Sequence, residues 1–472
     1  MLAARLGPGK VICEYQPWFS VNPQTSFGGN VGPYNGHKDI GYDEDADDSN
    51  NQFNSSASTQ NTAMINRGCN IDLIDFYGFI EPSQDFNQDT TTNGVYADLA
   101  SRGTDGSYPM QFAVMEDKGA FQADCNASVS NTAEETCIED ALESDMEGIF
   151  QDYILPNPGL YWTDDGVNVV AIFASCSDFS PSATPPGKLV CPSPGVTEDD
   201  WQTVWTDLIN TVGLGAQYNM KFIFEYGNFG YPEYASSGEF AWPQLSGYEF
   251  VDNTITQFWW CDPNGDPCEG PNQTPPSPAY LDRFYTDAST QVPEGQIAVG
   301  LLYKGFDDSN ASWGSDRVLA QQCGQVLLGT AGELALGGES YWASHQMRYM
   351  QVATWNDYEE GTEVESGVNN CYTGITPSVS GNTLSWTLST TTANESYVTT
   401  NSIYGYFIWT SPVGSDEITL RKIVTPGSAG STSLDSTDFN FSAGTQVDIY
   451  VEMIGMPLIQ NLMSPPYKWT AP

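Results

Sequence analysis

The chain has little positive charge: 15 Lys and Arg stand against 60 Asp and Glu, a net charge of −45. A surface this acidic repels nucleic-acid phosphates and anionic headgroups, so neither a nucleic acid nor a membrane is expected as a partner. There are only two histidines, His37 and His345, and neither falls at the end of an apolar run. That argues against a Ser-His-Asp nucleophile. The ten cysteines contain no CxxC spacing, so with so few histidines zinc is not expected. No GxGxxG or P-loop follows a strand-like run, and no nucleotide or other cofactor is expected. The oxygen-rich stretches Asp43–Asp48 and Asp262, Asn264, Asp266 and Glu269 match no full calcium loop, and read as solvated acidic turns with no metal. No run of about 18 apolar residues occurs, as a membrane-spanning helix would need. Nor is there a clear signal peptide; Met1–Lys10 reads as the stub of a processed chain.

What is present points to a folded protein of an oxidising compartment. Aromatic residues make up 13% of the chain and charged residues only 16%, which is not the composition of a disordered acidic segment. Cys125 and Cys137, Cys176 and Cys191, and Cys261 and Cys268 are close enough in sequence to close small disulfide loops. Sequons at Asn54, Asn126, Asn272, Asn310, Asn394 and Asn440 fit a secreted glycoprotein. The acidity is uneven. The last hundred residues carry 7 acids and 3 bases, and the rest of the chain holds nearly all of the negative charge.

Along residues 1–371, apolar strand-like runs alternate with helical stretches. The runs are 11–19, which starts as a strand and ends in aromatics, 71–77, 110–115, 167–174, 221–226, 254–260, 296–303 and 349–353. Helices are expected at about 54–67, 95–102, 132–153, 199–218 and 315–328. Eight such units imply a parallel sheet closed as a (β/α)8 TIM barrel. An open doubly wound sheet is the alternative, but it normally has fewer strands and a nucleotide loop. From about Tyr372 the texture changes to alternating strands split by Gly, Ser, Thr and Pro turns. Residues 372–472 therefore read as an all-β sandwich of the immunoglobulin or fibronectin-III kind, with its Trp and Tyr in the core.

In such a barrel the active site lies at the C-terminal ends of the strands. Those ends supply Glu14, Tyr15, Trp18, Asp75, Tyr77, Glu116, Asp117, Glu225, Tyr226, Trp259, Trp260, Tyr303, Lys304, Trp355, Asn356, Asp357 and Glu360. His37, in a long loop after the first strand, is a further candidate. The mouth is thus expected to carry carboxylates and aromatic rings. Sugars stack on aromatics, and carboxylates bind hydroxyls and do acid/base work. Asp357 and Glu360, three residues apart after the eighth strand, are the candidate catalytic pair.

At these residues a family resemblance appears. Ala353-Thr354-Trp355-Asn356-Asp357-Tyr358 with Glu360 resembles the strand-eight signature of glycoside hydrolase family 71, the α-1,3-glucanases or mutanases. It is also similar to that of the related family 99 endo-α-mannosidases and endo-mannanases, whose paired acids in ExxE spacing precede Gly-Thr and another Glu. Gly361-Thr362 and Glu365 fit the second pattern, and Asp357 in place of the first Glu fits the first. Tyr15-Gln16-Pro17-Trp18-Phe19, with Gly36-His37 and Gly41-Tyr42, is similar to the opening of family 99-like proteins. The resemblance implies that Glu360 is the general acid and Asp357 its partner. Asp357 would activate water in an inverting reaction, or deprotonate the sugar 2-hydroxyl in a retaining one.

The expectation is a secreted, monomeric glycoside hydrolase acting internally on a neutral α-linked polysaccharide or oligosaccharide, α-1,3-glucan ahead of α-mannan. A non-catalytic glycan-binding or surface-layer protein on the same scaffold is the competing reading. A third is a β-glycan hydrolase using Glu225 with Glu116.

Overall fold

The computed structural model describes residues 10–17, 53–79, 88–117, 131–173, 178–180, 188–190, 204–225, 238–242, 246–251, 254–259, 296–307, 318–319, 321–325, 327, 348–357, 360–365, 367–390, 398, 400–415, 417–425, 430–434, 437–456 and 458–472. The chain divides into two compact units. Met1–Cys268, Pro276–Leu319 and Gly329–Glu365 make the first; Glu269–Pro275, Ala320–Leu328 and Ser366–Pro472 make the second.

The first unit is an eight-stranded parallel barrel. Its strands are β1 (Lys10–Tyr15), β2 (Ile71–Phe76), β3 (Gln111–Asp117), β4 (Val167–Phe173), β5 (Met220–Glu225), β6 (Gly238–Phe240), β7 (Ile297–Leu302) and β8 (Tyr349–Val352). Each pairs in parallel with the next in sequence, and β1 pairs with β8 to close the ring. Most of these strands are rich in Val, Ile, Leu, Phe, Ala and Met, as burial on both faces requires. Helices α1 (Phe53–Arg67), α2 (Gln88–Ser101) and α3 (Asn131–Ile149) follow β1, β2 and β3. A π-helical segment Phe150–Ile154 extends α3.

Strand alternation sorts side chains into two layers. Lys10, Ile12 and Glu14 share the inner face with their register partners Ile71 and Leu73, and with Gln111, Ala113 and Met115 beyond them. The other face packs on helices. Phe112 meets Tyr96 of α2 and Tyr153 at ring-centroid distances of 5.3 and 5.2 Å, and Phe222 and Phe224 meet Trp205. Polar groups fill the inner face at the N-terminal end. Lys10 Nζ donates to Gln111 Oε1 at 2.7 Å, and the Tyr349 hydroxyl donates to Asp164 Oδ1 at 2.8 Å. Asp164 is also ion-paired to Lys221 and Arg348.

Two sequence expectations are corrected. The sixth barrel strand is Gly238–Phe240, not 254–260; Thr254–Trp259 instead pairs antiparallel with Ser246–Val251 in a separate hairpin. Three residues, Gly-Glu-Phe, make no apolar run. Gly238 is needed because a Cβ there would collide with the Ile297 backbone, so only glycine lets β6 approach β7. No single helix runs through the described residues of 315–328. Val318–Leu319 pairs with Phe306–Asp307, and a 3₁₀ turn, Gln322–Gly324, precedes the helical Gln325 and Leu327. Cys323, at φ 56°, and Gly324, at φ 84°, are left-handed and interrupt the helix expected there.

The second unit is an all-β sandwich. One sheet holds β9 (Tyr372–Ser380), β10 (Thr383–Thr390) and a short strand Ser431–Ser433. The other centres on the antiparallel pair Ile403–Pro412 and Gln446–Gly455. Ile375, Leu384 and Trp386 from the first sheet pack with Ile408, Ile449, Val451, Met453 and Trp469 from the second. Of the tryptophans, Trp386 and Trp469 are therefore core, as the sequence suggested. A disulfide joins Cys323 and Cys371 within this unit.

In the barrel, Cys13 on β1 is bonded to Cys69, 56 residues on, just before β2. Closing a loop of that size restricts the unfolded chain by about 4 kcal/mol in the chain-entropy account. The paired substitution Cys13→Ala and Cys69→Ala should therefore lower unfolding free energy by about 2–4 kcal/mol in a denaturant titration. A loss under about 0.5 kcal/mol would show that this bond does not hold β1 in place.

Candidate active site

The ends of β1 and β8 are joined by unusually direct bonds. Trp355 N–H donates to the Glu14 carbonyl at 2.6 Å. The Asn356 side chain pairs with the Gln16 backbone in both directions: Oδ1 accepts Gln16 N–H at 2.7 Å, and Nδ2 donates to Gln16 O at 3.0 Å. An amide side chain is thus standing in for a strand partner just where the ladder ends. Asn356 is 1% exposed; truncating it would leave two buried backbone groups without those bonds, at about 1–3 kcal/mol each.

After β8 the chain folds back on itself. Asp357 N–H donates to Thr354 Oγ1 at 2.9 Å, and Thr354 Oγ1 and Thr362 Oγ1 share a bond of 2.9 Å. Thr362 N–H returns to the Asp357 carbonyl at 3.1 Å, and Val364 N–H to Trp355 O at 2.9 Å. Gly361, at φ 61°, supplies the left-handed turn. Within this loop Asp357 Oδ1 accepts the Glu360 N–H at 3.0 Å. The three-residue spacing read from the sequence is therefore a formed turn, with one acid's side chain holding the other acid's backbone.

Around this turn the strand ends collect further acids. Glu14 is fully buried, and its Oε1 accepts a bond from Gln16 Nε2 at 2.8 Å. Burial, then the charges of Asp75, Asp357 and Glu360, push its carboxyl well above the usual carboxylate range. Asp75 is pushed up the same way, by burial and then Asp117, Asp357 and Glu360, while a hydrogen bond from Gln16 pulls it down. The Tyr77 phenol is raised by burial and by Asp117, Asp75, Asp357 and Glu360. Glu14, Asp75, Asp117, Asp357, Glu360 and Tyr77 are thus one electrostatic cluster, which holds fewer charges than carboxyl groups. Such a pocket can present protonated and charged carboxyls side by side, as general acid–base chemistry requires. Among the described residues, no group of three or more His, Cys, Asp or Glu is arranged to hold a metal ion.

Several other residues expected at the mouth face away from this cluster. Glu116 is one position out of phase: it pairs with Ile172, on the face that carries Phe224 to Trp205. It is fully buried in the helix-facing layer, against Asp145 of α3. Tyr15, in register with Ile74, is fully buried on that same outer face. Trp355 also turns outward. Its indole donates to Gln60 Oε1 of α1 at 2.5 Å, and the Arg67 guanidinium lies 5.5 Å from its ring. Lys304 and Glu363 are both fully buried and form an ion pair at 3.0 Å. Lys304 therefore ties the end of β7 to the loop after β8. Glu225, the last residue of β5, keeps the inner face in register with Phe240, and Tyr303 is buried just beyond β7. Trp259 belongs to the hairpin strand, not to a barrel strand. Trp18, His37, Tyr226 and Trp260 lie outside the described residues, as do the acidic stretches 43–48 and 262–269.

Gln16, which touches Glu14, Asp75 and Asn356, was not among the expected site residues, although it stands within the aromatic motif after β1. Thr354 and Thr362 were also missed. Their role as hydroxyl staples shows only once the loop has folded.

No protein-family model and no curated protein matches the chain. Solved structures with a similar course include a GH99 endo-alpha-mannosidase from Bacteroides thetaiotaomicron, at TM-score 0.46 and 13% identity over 75% of this chain and 87% of that one. A beta-glucosidase from Thermotoga maritima gives 0.39 and 8% over 75% and 92%. A rutinosidase from Aspergillus niger gives 0.37 and 10% over 73% and 89%. Likenesses this distant carry no argument about substrate, and the barrel rests on its own strand pairings.

The buried acids make stability depend on pH with a definite sign. Glu14 titrates above its unfolded value of about 4.3. It therefore opposes folding increasingly as pH rises from that value through the folded one, and not below it. Glu14→Gln should gain stability over wild type between pH 4 and pH 8, with the gain vanishing near pH 3. Denaturant unfolding across that range checks this. A difference that does not change with pH would contradict it.

Proposed function

We propose that the chain is a secreted glycoside hydrolase that cleaves a neutral α-linked polysaccharide internally, with α-1,3-glucan as the first substrate to try and α-mannan the second. The observation that carries this reading is the Asp357–Glu360 turn, set among Glu14, Asp75 and Tyr77 at one end of a closed barrel. A site that only binds sugar has no need of carboxyls whose charges are mutually suppressed. One that breaks a glycosidic bond needs a proton donor and a charged partner together.

In this reading Glu360 gives its proton to the departing glycosidic oxygen. Asp357 either takes a proton from the attacking water or takes one from the sugar 2-hydroxyl, which then closes on the anomeric carbon. The charges of Asp357 and Glu360 in turn hold the carboxyls of Glu14 and Asp75 above the usual carboxylate range. The resemblance of the strand-eight segment to families 71 and 99 supports the same roles. The β-glycan alternative loses support, because Glu116 and Glu225 face opposite sides of the barrel wall. The disulfides Cys13–Cys69 and Cys323–Cys371 support an oxidising, extracellular setting.

Reducing-end release from a panel of α- and β-linked glucans and mannans tests the proposal. Asp357→Asn and Glu360→Gln, each still folded, should lower kcat/KM on the cleaved α-glycan by about 10²- to 10⁴-fold. Full activity in both variants would remove the assignment. Binding without cleavage across the panel by wild type would favour the non-catalytic reading.

A further inference from the structure

The segment that carries Tyr77 is held from outside the barrel by contacts that the acid/base reading does not use. After β2, Gly78 at φ 80° turns the chain, so that Tyr77 stays with the mouth carboxyls while Phe79 reaches the helix layer. The Phe79 ring lies edge-on to Phe76 at 5.0 Å and stacked on Tyr153 at 6.0 Å. The Tyr153 hydroxyl is itself fixed, donating to Asn93 Oδ1 at 3.0 Å. The ring sits directly over Gly148 of α3, where any Cβ would run into it. One turn earlier on the same helix, Asp145 Oδ1 accepts the Phe79 backbone N–H at 3.0 Å. Asp145 is 5% exposed and faces the fully buried Glu116 of β3.

Glycine inside a helix costs about 1 kcal/mol relative to alanine, so its presence at position 148 needs a reason. The Phe79 ring supplies one. Two carboxyl groups meeting in a dry layer also need a reason, because both cannot be charged there. Burial and the neighbouring Asp145 hold the Glu116 carboxyl toward its protonated form, while Asp145 Oδ1 accepts the Phe79 N–H.

We propose that Asp145, Gly148 and Glu116 form a latch that docks Phe79 against α3 and thereby positions Tyr77 in the mouth. These are positioning residues, and none of them touches substrate. The inference rests on the proposed site only in assigning Tyr77 to the substrate pocket. The titratable groups whose charge acts on Glu116 are Asp145 from α3, Asp117 on its own strand, Asp75 on β2 and the Tyr161 phenol. Every one is acidic, so ionisation of Glu116 would load the latch with repulsion. The latch loosens as pH rises.

The test follows Tyr77 directly, by ¹⁹F NMR of protein labelled with 3-fluorotyrosine, with the Tyr77 resonance assigned from Tyr77→Phe. Asp145→Ala and Gly148→Ala should each move or broaden that resonance. Glu116→Gln, which keeps a hydrogen-bond donor toward Asp145, should leave it at the wild-type position and abolish its drift between pH 5 and pH 9. If Gly148→Ala fails to fold, the pair Gly148→Ala with Phe79→Ala should fold, because no ring then meets position 148. On whichever α-glycan the wild type cleaves, Asp145→Ala should lower kcat/KM by about ten- to a hundredfold. It should add nothing to the loss caused by Tyr77→Phe. An unmoved Tyr77 resonance in folded Asp145→Ala, or multiplicative losses in the double variant, would overturn the latch. Should the wild type cleave no glycan, the proposed function fails while the NMR arm still decides the latch.

Discussion

The site depends on one joint, the bonding of the first strand's end to the last strand's end. A parallel barrel has to bring two segments more than 300 residues apart into register, and the ladder between β1 and β8 is only four pairs long. Beyond it the backbone bond from Trp355 to Glu14 and the two bonds from Asn356 to Gln16 continue the pairing. That continuation makes neighbours of Glu14 and of the Asp357–Glu360 turn. If the joint opened, the acids would separate into water, and the mutual pressure on their proton affinities would go with it.

The same joint commits Trp355 and Asn356 to contacts within the protein. Trp355 faces α1, where Gln60 and Arg67 hold it, and Arg67 also reaches the Val364 carbonyl at 2.8 Å. The loop after β8 is therefore clamped on its outer side, while Asp357 and Glu360 act on the carboxyls of Glu14 and Asp75. Charge is segregated along the barrel. Lys10, Lys221 and Arg348, three of the chain's 15 bases, gather at the N-terminal end around Asp164, while the C-terminal end collects carboxyls. With Lys304 committed to Glu363, the raised proton affinities of Glu14 and Asp75 follow from burial and crowding.

Much of the barrel was legible in the sequence, because strands buried on both faces must be long apolar runs, and seven of the eight were. The exception, Gly238-Glu239-Phe240, is too short and too polar to register, and its place was given to a hairpin strand of similar chemistry. Distance along the chain cannot distinguish a strand that joins the ring from one that pairs elsewhere. Within the site, residue type was readable but phase was not. Glu116 and Asp117 are adjacent acids at one strand end, yet alternation sends the first to the helices and the second to the cluster. Tyr15 and Trp355 looked like sugar platforms for the same reason. The Asp357–Glu360 spacing needed no phase, because a turn of three residues aligns both acids whatever the strand does.

The central claim is that the turn after β8 is where the glycosidic bond is broken. The most direct measurement is a crystal structure of the Glu360→Gln protein with an α-1,3-linked gluco-oligosaccharide, or an α-manno-oligosaccharide if that is the chain cleaved. The account predicts a sugar seated above Glu14 and Asp75, its scissile oxygen within about 3 Å of the residue-360 side chain and Asp357 on the same sugar. An oligosaccharide bound away from this turn, or one whose glycosidic oxygens all lie beyond reach of residue 360, would contradict it.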